Sequence, residues 1–75
     1  MQRTPDARFE DYDIFAIAVP RADGKWEATS EIEKAGAQGL EVFPGVGGPC
    51  LAETEEAARA AACNDAKRKY TLYTF

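Results

Sequence analysis

The sequence contains no histidine, a single serine and two cysteines, so the side chains that most enzymes use for catalysis are scarce. Catalysis requires a positioned nucleophile, acid or base. Ser30 lies within a strand-like segment, and Cys50 and Cys63 have no evident base partner. Zinc sites usually combine four cysteine or histidine ligands, which these residues do not supply. We therefore expect a protein that is not an enzyme and that uses neither a cofactor nor a metal.

Long apolar runs are also missing. No segment approaches the roughly 20 apolar residues of a membrane helix. The polar first residues, MQRTPDARFED, have no apolar stretch of the kind found in signal peptides. We therefore expect a cytoplasmic protein with no membrane partner, in which both cysteines are reduced. A disulfide between them is the alternative if the compartment is oxidising.

The chain has an acidic balance, with a formal net charge of -4 at pH 7. Binding to nucleic acid depends on a basic surface that neutralises phosphates, so the negative net charge of the chain disfavours nucleic-acid binding. The basic segment Lys67–Lys69 defines the alternative, a nucleic-acid-binding module that uses these three side chains. The same side chains would also complement the negative end of a helix dipole.

Residues 12–34 predict a β-hairpin that turns at Asp23-Gly24. An Asp-Gly pair between two strand-like runs is typical of a two-residue type I′ turn. With that turn, Val19 faces Ala28. Because side chains alternate across a strand, one face of the hairpin then forms the core. The residues predicted to face the core are Phe15, Ile17, Val19, Trp26, Ala28 and Ile32.

Downstream of the hairpin, the pattern predicts one further strand and one helix. Residues 40–43 predict a short third strand with Leu40 and Val42 pointing inward, and residues 44–49, PGVGGP, are typical of a loop. The helix is predicted to begin after Thr54, whose hydroxyl can accept the first free amides.

Alanine, the strongest helix former, dominates the helix and leaves its buried face open to two interpretations. Residues at a spacing of three or four share one side of a helix. The first candidate stripe is Ala57, Ala61 and Asn64. The second is Ala58, Ala62 and Ala66.

These elements predict an α+β protein, a three-stranded antiparallel meander sheet with one C-terminal helix packed on one face (β-β-β-α). We place a flexible N-terminal arm at residues 1–11, the domain at residues 12–69 and an aromatic C-terminal tail at residues 70–75. The tail has three alternatives: a fourth strand, an extension of the helix or a frayed end. We favour an ordered tail that packs, since such a density of aromatic residues usually marks an interface.

The second face of the sheet carries the functional prediction. In the predicted register, Ile14, Ala16 and Ala18 lie on the face that the helix does not cover, beside an open strand edge. Such a surface suits strand addition or sheet stacking. We therefore predict a protein–protein interaction or self-associating module whose partner is a second copy or an unidentified protein. The candidate interface residues are Ile14, Ala16, Ala18, Tyr70, Leu72, Tyr73 and Phe75.

Two short motifs resemble those of known families. A G-x-W-x-A motif at residues 24–28 and a T-x-E-A motif at residues 54–57 resemble a family of small uncharacterised bacterial β-β-β-α proteins, over residues 12–69. That resemblance implies a fold and no particular activity. The element order, with Phe43-Pro44-Gly45 and the helix start at Thr54, is also similar to the HicB-type antitoxin fold. It implies a toxin–antitoxin-type regulator as a further alternative.

Overall fold

The structure of the chain, a computed structural model, describes residues 4–73 and gives only the backbone of residues 71–73. It confirms an α+β protein in which one helix packs on an antiparallel sheet, but the sheet has four strands in the order β1-β2-β3-β4. The strands are β1 (Ala7–Phe9), β2 (Tyr12–Pro20), β3 (Trp26–Gly36) and β4 (Gly39–Ala52), and the helix α1 spans Glu55–Tyr73.

The additional strand, β1, lies within the segment predicted to be a flexible arm. Ala7 pairs with Ile14 and Phe9 pairs with Tyr12, which leaves a two-residue connection to β2. The ring centroids of Phe9 and Tyr12 lie 5.6 Å apart, so the strand is held against the core. Three residues are too few to show an alternating pattern, which is why the sequence did not reveal this strand. Residues 1–3 of the predicted arm lie outside the described residues.

The hairpin of β2 and β3 forms where it was predicted, but its register differs by one residue. The Arg21 N–H donates to the Lys25 carbonyl at 2.8 Å, and the Gly24 N–H donates to the Arg21 carbonyl at 3.1 Å. Gly24 has a φ of 86°. These features define a three-residue loop, a type I turn followed by a left-handed glycine, in place of the two-residue type I′ turn. The extra loop residue shifts every partner, so Ala18 pairs with Ala28.

This shift exchanges the two faces of β2 relative to β3, because side chains alternate with a period of two; Ala28 and Ile32 of β3 are buried as predicted. Ile14 is fully buried and Ala16 is 7% exposed, whereas Ile17 and Val19 are 55% and 50% exposed. The prediction that Ile17 and Val19 face the core was therefore wrong. Apolar residues occupy both faces of β2, so only the loop geometry decides which face the helix covers.

The strand predicted at residues 40–43 extends much further and also faces the other way. Leu40 pairs with Ala35 and Val42 pairs with Glu33, on the side away from α1. Both side chains are exposed, contrary to the prediction that they point inward. Phe43 packs against the core instead.

The segment PGVGGP, predicted to be a loop, is part of β4. Its pairing with β3 is irregular on both sides of Ser30, which pairs with Gly47. Pro44 and Pro49 are tolerated because β4 lies at the edge of the sheet, where a missing amide donor costs little. Composition alone therefore suggested a loop where an irregular edge strand forms.

The helix begins as predicted. The Thr54 hydroxyl accepts the Ala57 N–H at 3.1 Å, and the Thr54 carbonyl accepts the Ala58 N–H at 3.1 Å. Of the two alanine stripes, the second is buried, and Ala58, Ala62 and Ala66 are each fully buried. Ala57, from the other stripe, is exposed.

Small side chains let α1 approach the sheet closely. The Ser30 hydroxyl donates to the Ala62 carbonyl at 2.8 Å. A methyl group added at Gly47 would overlap both the Ser30 hydroxyl oxygen and the Ala62 carbonyl oxygen. Gly47 is therefore required for the spacing between the helix and the sheet.

The helix continues through Tyr73, which is the second of the three alternatives for the tail. The Tyr70 ring packs on Tyr12, with ring centroids 4.1 Å apart. The basic segment Lys67–Lys69 therefore does not lie in the last turn of α1. Residues 74 and 75 lie outside the described residues.

Candidate functional site

The sheet face that α1 leaves uncovered carries five exposed aliphatic side chains. Val19 and Leu51 both pair with Glu27, so the three lie in one row across the sheet. Each of the five side chains is between 47% and 64% exposed. We call this surface the outer sheet face. Its aliphatic members are Ile17, Val19, Leu40, Val42 and Leu51.

The outer sheet face has a distinct arrangement of charge. Glu27, Glu31 and Glu33 of the central strand β3 form an acidic line, and the aliphatic residues lie on β2 and β4 on either side of it. Neighbouring strands are about 4.8 Å apart, so the two aliphatic rows are separated by roughly 10 Å. Exposed aliphatic side chains in this density are typical of a binding surface.

Two arginines lie at opposite ends of the outer sheet face. Arg21 donates to Glu27 at 2.8 Å, and Arg8 donates to Asp13 at 2.7 Å. The hydrogen bond to Glu27 is the main cause of the raised pKa of Arg21. Both pairs are exposed, where ion pairs contribute little to stability. They show instead that the carboxylates of this face accept guanidinium groups.

The edge of β2 beyond its pairing with β1 is closed at Ala16 by two side chains. The Asp6 carboxylate accepts the Ala16 N–H at 2.8 Å, and Arg59 donates to the Ala16 carbonyl at 2.8 Å. Arg59 also pairs with Asp6 at 3.1 Å. Both backbone groups of Ala16 are therefore satisfied, and an incoming strand would find no partner at this residue. The far edge of β4 pairs with no described strand, so the prediction of an open strand edge stays a prediction.

Asp6 and Arg59 also line a cleft of about 300 Å³ between the N-terminal segment and α1. Cys63 lies in the wall of the cleft and is 5% exposed. Burial raises the pKa of its thiol, which keeps the sulfur protonated and unreactive. The cleft therefore lacks an activated nucleophile in the part of the chain that the structure describes.

The basic segment is partly neutralised by Asp65. The Asp65 carboxylate pairs with Arg68 and with Lys69, the latter at 3.0 Å. It also accepts the Gly48 N–H at 2.8 Å, and this hydrogen bond is the main reason that the pKa of Asp65 falls to about 2. Two of the three basic side chains are thus paired with one carboxylate. This pairing weakens the case for a phosphate-binding surface.

The described residues of the predicted interface, Ile14, Ala16, Ala18 and Tyr70, do not form an exposed surface. Ile14 and Ala16 are buried beneath α1, and Ala18 is partly buried against the same helix. Tyr70 packs on Tyr12. The prediction that Ile14, Ala16 and Ala18 lie on an uncovered face is therefore corrected. The side chains of Leu72 and Tyr73, and all of Phe75, lie outside the described residues.

The residues that form the exposed surface differ from the prediction for two reasons. A two-residue turn places Ile17 and Val19 in the core, and a third strand limited to residues 40–43, with Leu40 and Val42 inward, leaves out Leu51 and faces the wrong way. The alternating glutamates Glu31 and Glu33 carried the useful signal, since they mark the solvent side of β3. Their cross-strand neighbours then belong to the outer sheet face.

Comparison with family models, with curated proteins and with solved structures finds no match to this chain. The resemblances to small bacterial proteins and to the HicB-type fold therefore stay predictions. Among the described residues, no helix combines the length and apolar character that crossing a membrane requires. The same residues include no group of three or more Cys, Asp or Glu side chains placed to ligate a metal ion.

Proposed function

We propose that the chain is a small non-enzymatic protein-interaction module that binds its partner through the outer sheet face. The observation that carries this proposal is the exposure of five large aliphatic side chains on one side of a sheet whose other side is closed by α1. Fully burying a side chain of this size is worth about 1.5–3 kcal/mol. A partner that covers five half-exposed residues therefore gains a substantial driving force.

The closure of β2 at Ala16 favours the outer sheet face over this edge of the sheet as the docking surface. Strand addition requires free backbone donors and acceptors. At Ala16 both groups are already bonded to Asp6 and Arg59, and Pro20, four residues further along at the end of β2, has no N–H to donate. The aliphatic side chains of the outer sheet face need no such backbone groups.

Purification from the organism's own cells tests the proposal through matched aspartate variants. Ile17→Asp places a charge within the outer sheet face. Ala57→Asp places the same charge on the exposed side of α1, where it also favours the positive end of the helix dipole. We expect the wild type and Ala57→Asp to elute as a complex with a partner polypeptide, and Ile17→Asp to elute as a single chain.

The proposal is wrong if the wild type has the native mass of one chain at every concentration. It is also wrong if the complex survives Ile17→Asp unchanged. Circular dichroism of both variants establishes that each is folded before the masses are compared.

A further inference from the structure

The two edges of the sheet are protected differently. On β2, Asp6 and Arg59 bond both backbone groups of Ala16. Pro20, at the end of the same strand, has no N–H to donate. At the other edge, residues 39–42 of β4 are exposed, and no described strand lies beyond them. An unpaired edge strand is a template for pairing with another chain, so β4 is the edge at which a further strand can be added.

The hydrogen-bond pattern of the β3–β4 hairpin decides which backbone groups of β4 point outward. A two-residue turn connects Gly36 to Gly39, and the pair that closes such a turn exchanges both backbone hydrogen bonds. Bonded and non-bonded pairs then alternate along the two strands. Leu40 and Val42 belong to non-bonded pairs with β3, so the N–H and C=O groups of both residues point away from the sheet.

A second copy of the chain is a suitable strand for this edge. Two copies that pair edge to edge are related by a two-fold axis perpendicular to the sheet, which leaves each side chain on its own face. Because residues directly opposite each other share a face, the axis must pass between a residue and its own counterpart. Whether the edge is self-complementary therefore depends on which residue lies at the axis.

Glu41 and Leu40 do not suit this position. With Glu41 at the axis, two carboxylates lie directly opposite each other, which is destabilising. With Leu40 at the axis, Val42 lies opposite Gln38 of the second copy, and Gln38 belongs to the turn.

Val42 at the axis avoids both problems. Each Val42 then exchanges both backbone hydrogen bonds with its counterpart, and each Leu40 N–H donates to the Pro44 carbonyl of the other copy. Glu41 lies opposite Phe43 instead of opposite a second carboxylate. With Phe43 at the axis, in contrast, Val42 would lie opposite Pro44, which has no N–H to return a hydrogen bond.

We infer that two copies of the chain pair through the free edges of β4, with Val42 at the two-fold axis. Leu40 and Val42, which are 64% and 47% exposed, then form one aliphatic row across the axis. This inference goes beyond the proposed function, since it concerns an edge of the sheet and not the outer sheet face. It leaves both outer sheet faces on the same side of one continuous sheet.

The pairing stops at two copies. A two-fold interface uses the same surface on both copies, so neither copy keeps a free β4 edge. The opposite edge of each sheet consists of the three-residue strand β1 and of the part of β2 that is closed at Ala16 and Pro20. The arrangement therefore gives a closed dimer and not a filament.

The dimer is expected to be weak because only a short segment pairs. Pro44 has no N–H, and the pairing of β4 with β3 is irregular beyond Phe43, so regular pairing is limited to residues 39–43. Such an edge buries much less than the roughly 1,000 Å² of a stable complex. We expect dimers at roughly 0.1–1 mM and single chains at a few micromolar, in the range of transient complexes.

Sedimentation equilibrium of the full chain over this range tests the inference through two variants of one residue. Val42→Pro removes an N–H that points away from β3, so the monomer loses no hydrogen bond to β3. Val42→Thr keeps the N–H and the branched shape. We expect Val42→Pro to dimerise at least tenfold more weakly than the wild type, and Val42→Thr to stay within about threefold.

A wild type that is monomeric at 1 mM would overturn the inference. Equal dimerisation of Val42→Pro and Val42→Thr, with both shown to be folded by circular dichroism, would overturn it as well.

Cross-linking tests the register and stays decisive if Val42→Pro does not fold. The background variant is Cys50→Ser, in which the remaining thiol, Cys63, is buried. Val42→Cys places two thiols directly opposite each other, with Cβ atoms about 5 Å apart, so a short bismaleimide should join two copies at 1 mM. Leu51→Cys is the control on the same strand and face, roughly 30 Å from the axis. No cross-link at Val42→Cys, or an equal yield at Leu51→Cys, would refute the pairing.

Ile17→Asp separates the inference from the proposed function. Ile17 lies on β2, two strands away from the β4 edge, so the β4 dimer should survive this change at 1 mM. Loss of the dimer would place self-association on the outer sheet face, which refutes the inference and supports the proposed function. The β4 dimer dissociates at the micromolar concentrations of a purified native complex. A native complex that persists in Ile17→Asp at these concentrations therefore refutes the proposed function alone.

Discussion

The two faces of the sheet differ most at the place where α1 packs closest. Where α1 comes closest to the sheet, the sheet residues beneath it are Ala28, Ser30 and Gly47, and the helix residues that face them are alanines. The outer sheet face carries isoleucine, valine and leucine at half exposure. Side-chain size alone therefore does not identify the core of this protein. Small residues mark the part of the helix-facing side where α1 packs closest, large residues such as Tyr12, Ile14 and Ile32 fill the rest of that side, and large aliphatic residues are also exposed on the outer sheet face.

The strongest test of this contrast is a single methyl group at Gly47. Gly47→Ala places a Cβ against the Ser30 hydroxyl and against the Ala62 backbone carbonyl, and the carbonyl cannot move without shifting α1. We expect a loss of about 3 kcal/mol in the free energy of unfolding, since overpacking of a tight interface is costly. Chemical denaturation monitored by circular dichroism measures it.

Gly36→Ala is the control for that substitution. There the added methyl group meets only the flexible end of the Glu41 side chain, which can turn away. The free energy of unfolding should change by less than about 1 kcal/mol. Equal effects of Gly36→Ala and Gly47→Ala would show that the helix does not depend on close approach at Gly47.

Asp65 links the irregular part of β4 to α1 and should make stability depend on pH. Its pKa in the folded protein is about 2, below the ordinary value of 3.8. Because the folded-state pKa is depressed, the stabilisation is fully present above about pH 4 and is lost as the pH falls towards 2. Asp65→Asn should lower stability at pH 7 by about 1–2 kcal/mol, an amount that allows for partial screening by solvent.

Denaturation at several pH values between 2 and 7 separates this contribution from general acid unfolding. The stability difference between wild type and Asp65→Asn should shrink as the pH approaches 2. A difference that is constant across this range would rule out the charge of Asp65 as its cause.

The smallest effect is expected on the outer sheet face. Ile17→Thr removes apolar surface from a side chain that is already 55% exposed, so stability should change by no more than about 0.5 kcal/mol. Ile32→Thr makes the same chemical change at a fully buried position and should cost several times more. Thermal unfolding of the two variants compares the faces directly. A large loss from Ile17→Thr would mean that the outer sheet face is part of the folding core.

The sequence was sufficient for the elements whose signals are local. Asp23-Gly24 located the hairpin, Thr54 located the start of the helix, and one of the two alanine stripes proved to be buried. The register could not be obtained in this way, because a loop of two residues and a loop of three are both compatible with Asp-Gly. The difference between them is the hydrogen bond from Arg21 to Lys25, which depends on the whole hairpin.

The β2 part of the candidate surface, Ile17 and Val19, depended on that register. Glutamates at alternate positions of β3 correctly indicated a solvent face, but the predicted pairing of β2 with β3 differs by one residue from the observed pairing. Ile17 and Val19 consequently appeared to be core residues. The pairs between distant residues, such as Asp6 with Arg59, leave no local pattern and could be seen only in the folded chain.

The closure of the β2 edge by Asp6 and Arg59 has a consequence for the order of events during biosynthesis. Asp6 and Ala16 leave the ribosome before Arg59, which belongs to α1. Until Arg59 is synthesised, the Ala16 carbonyl lacks this partner and the helix-facing side of the hairpin is uncovered, a combination prone to pairing with neighbouring chains. Closure of this edge is therefore a late step that links the two ends of the described chain.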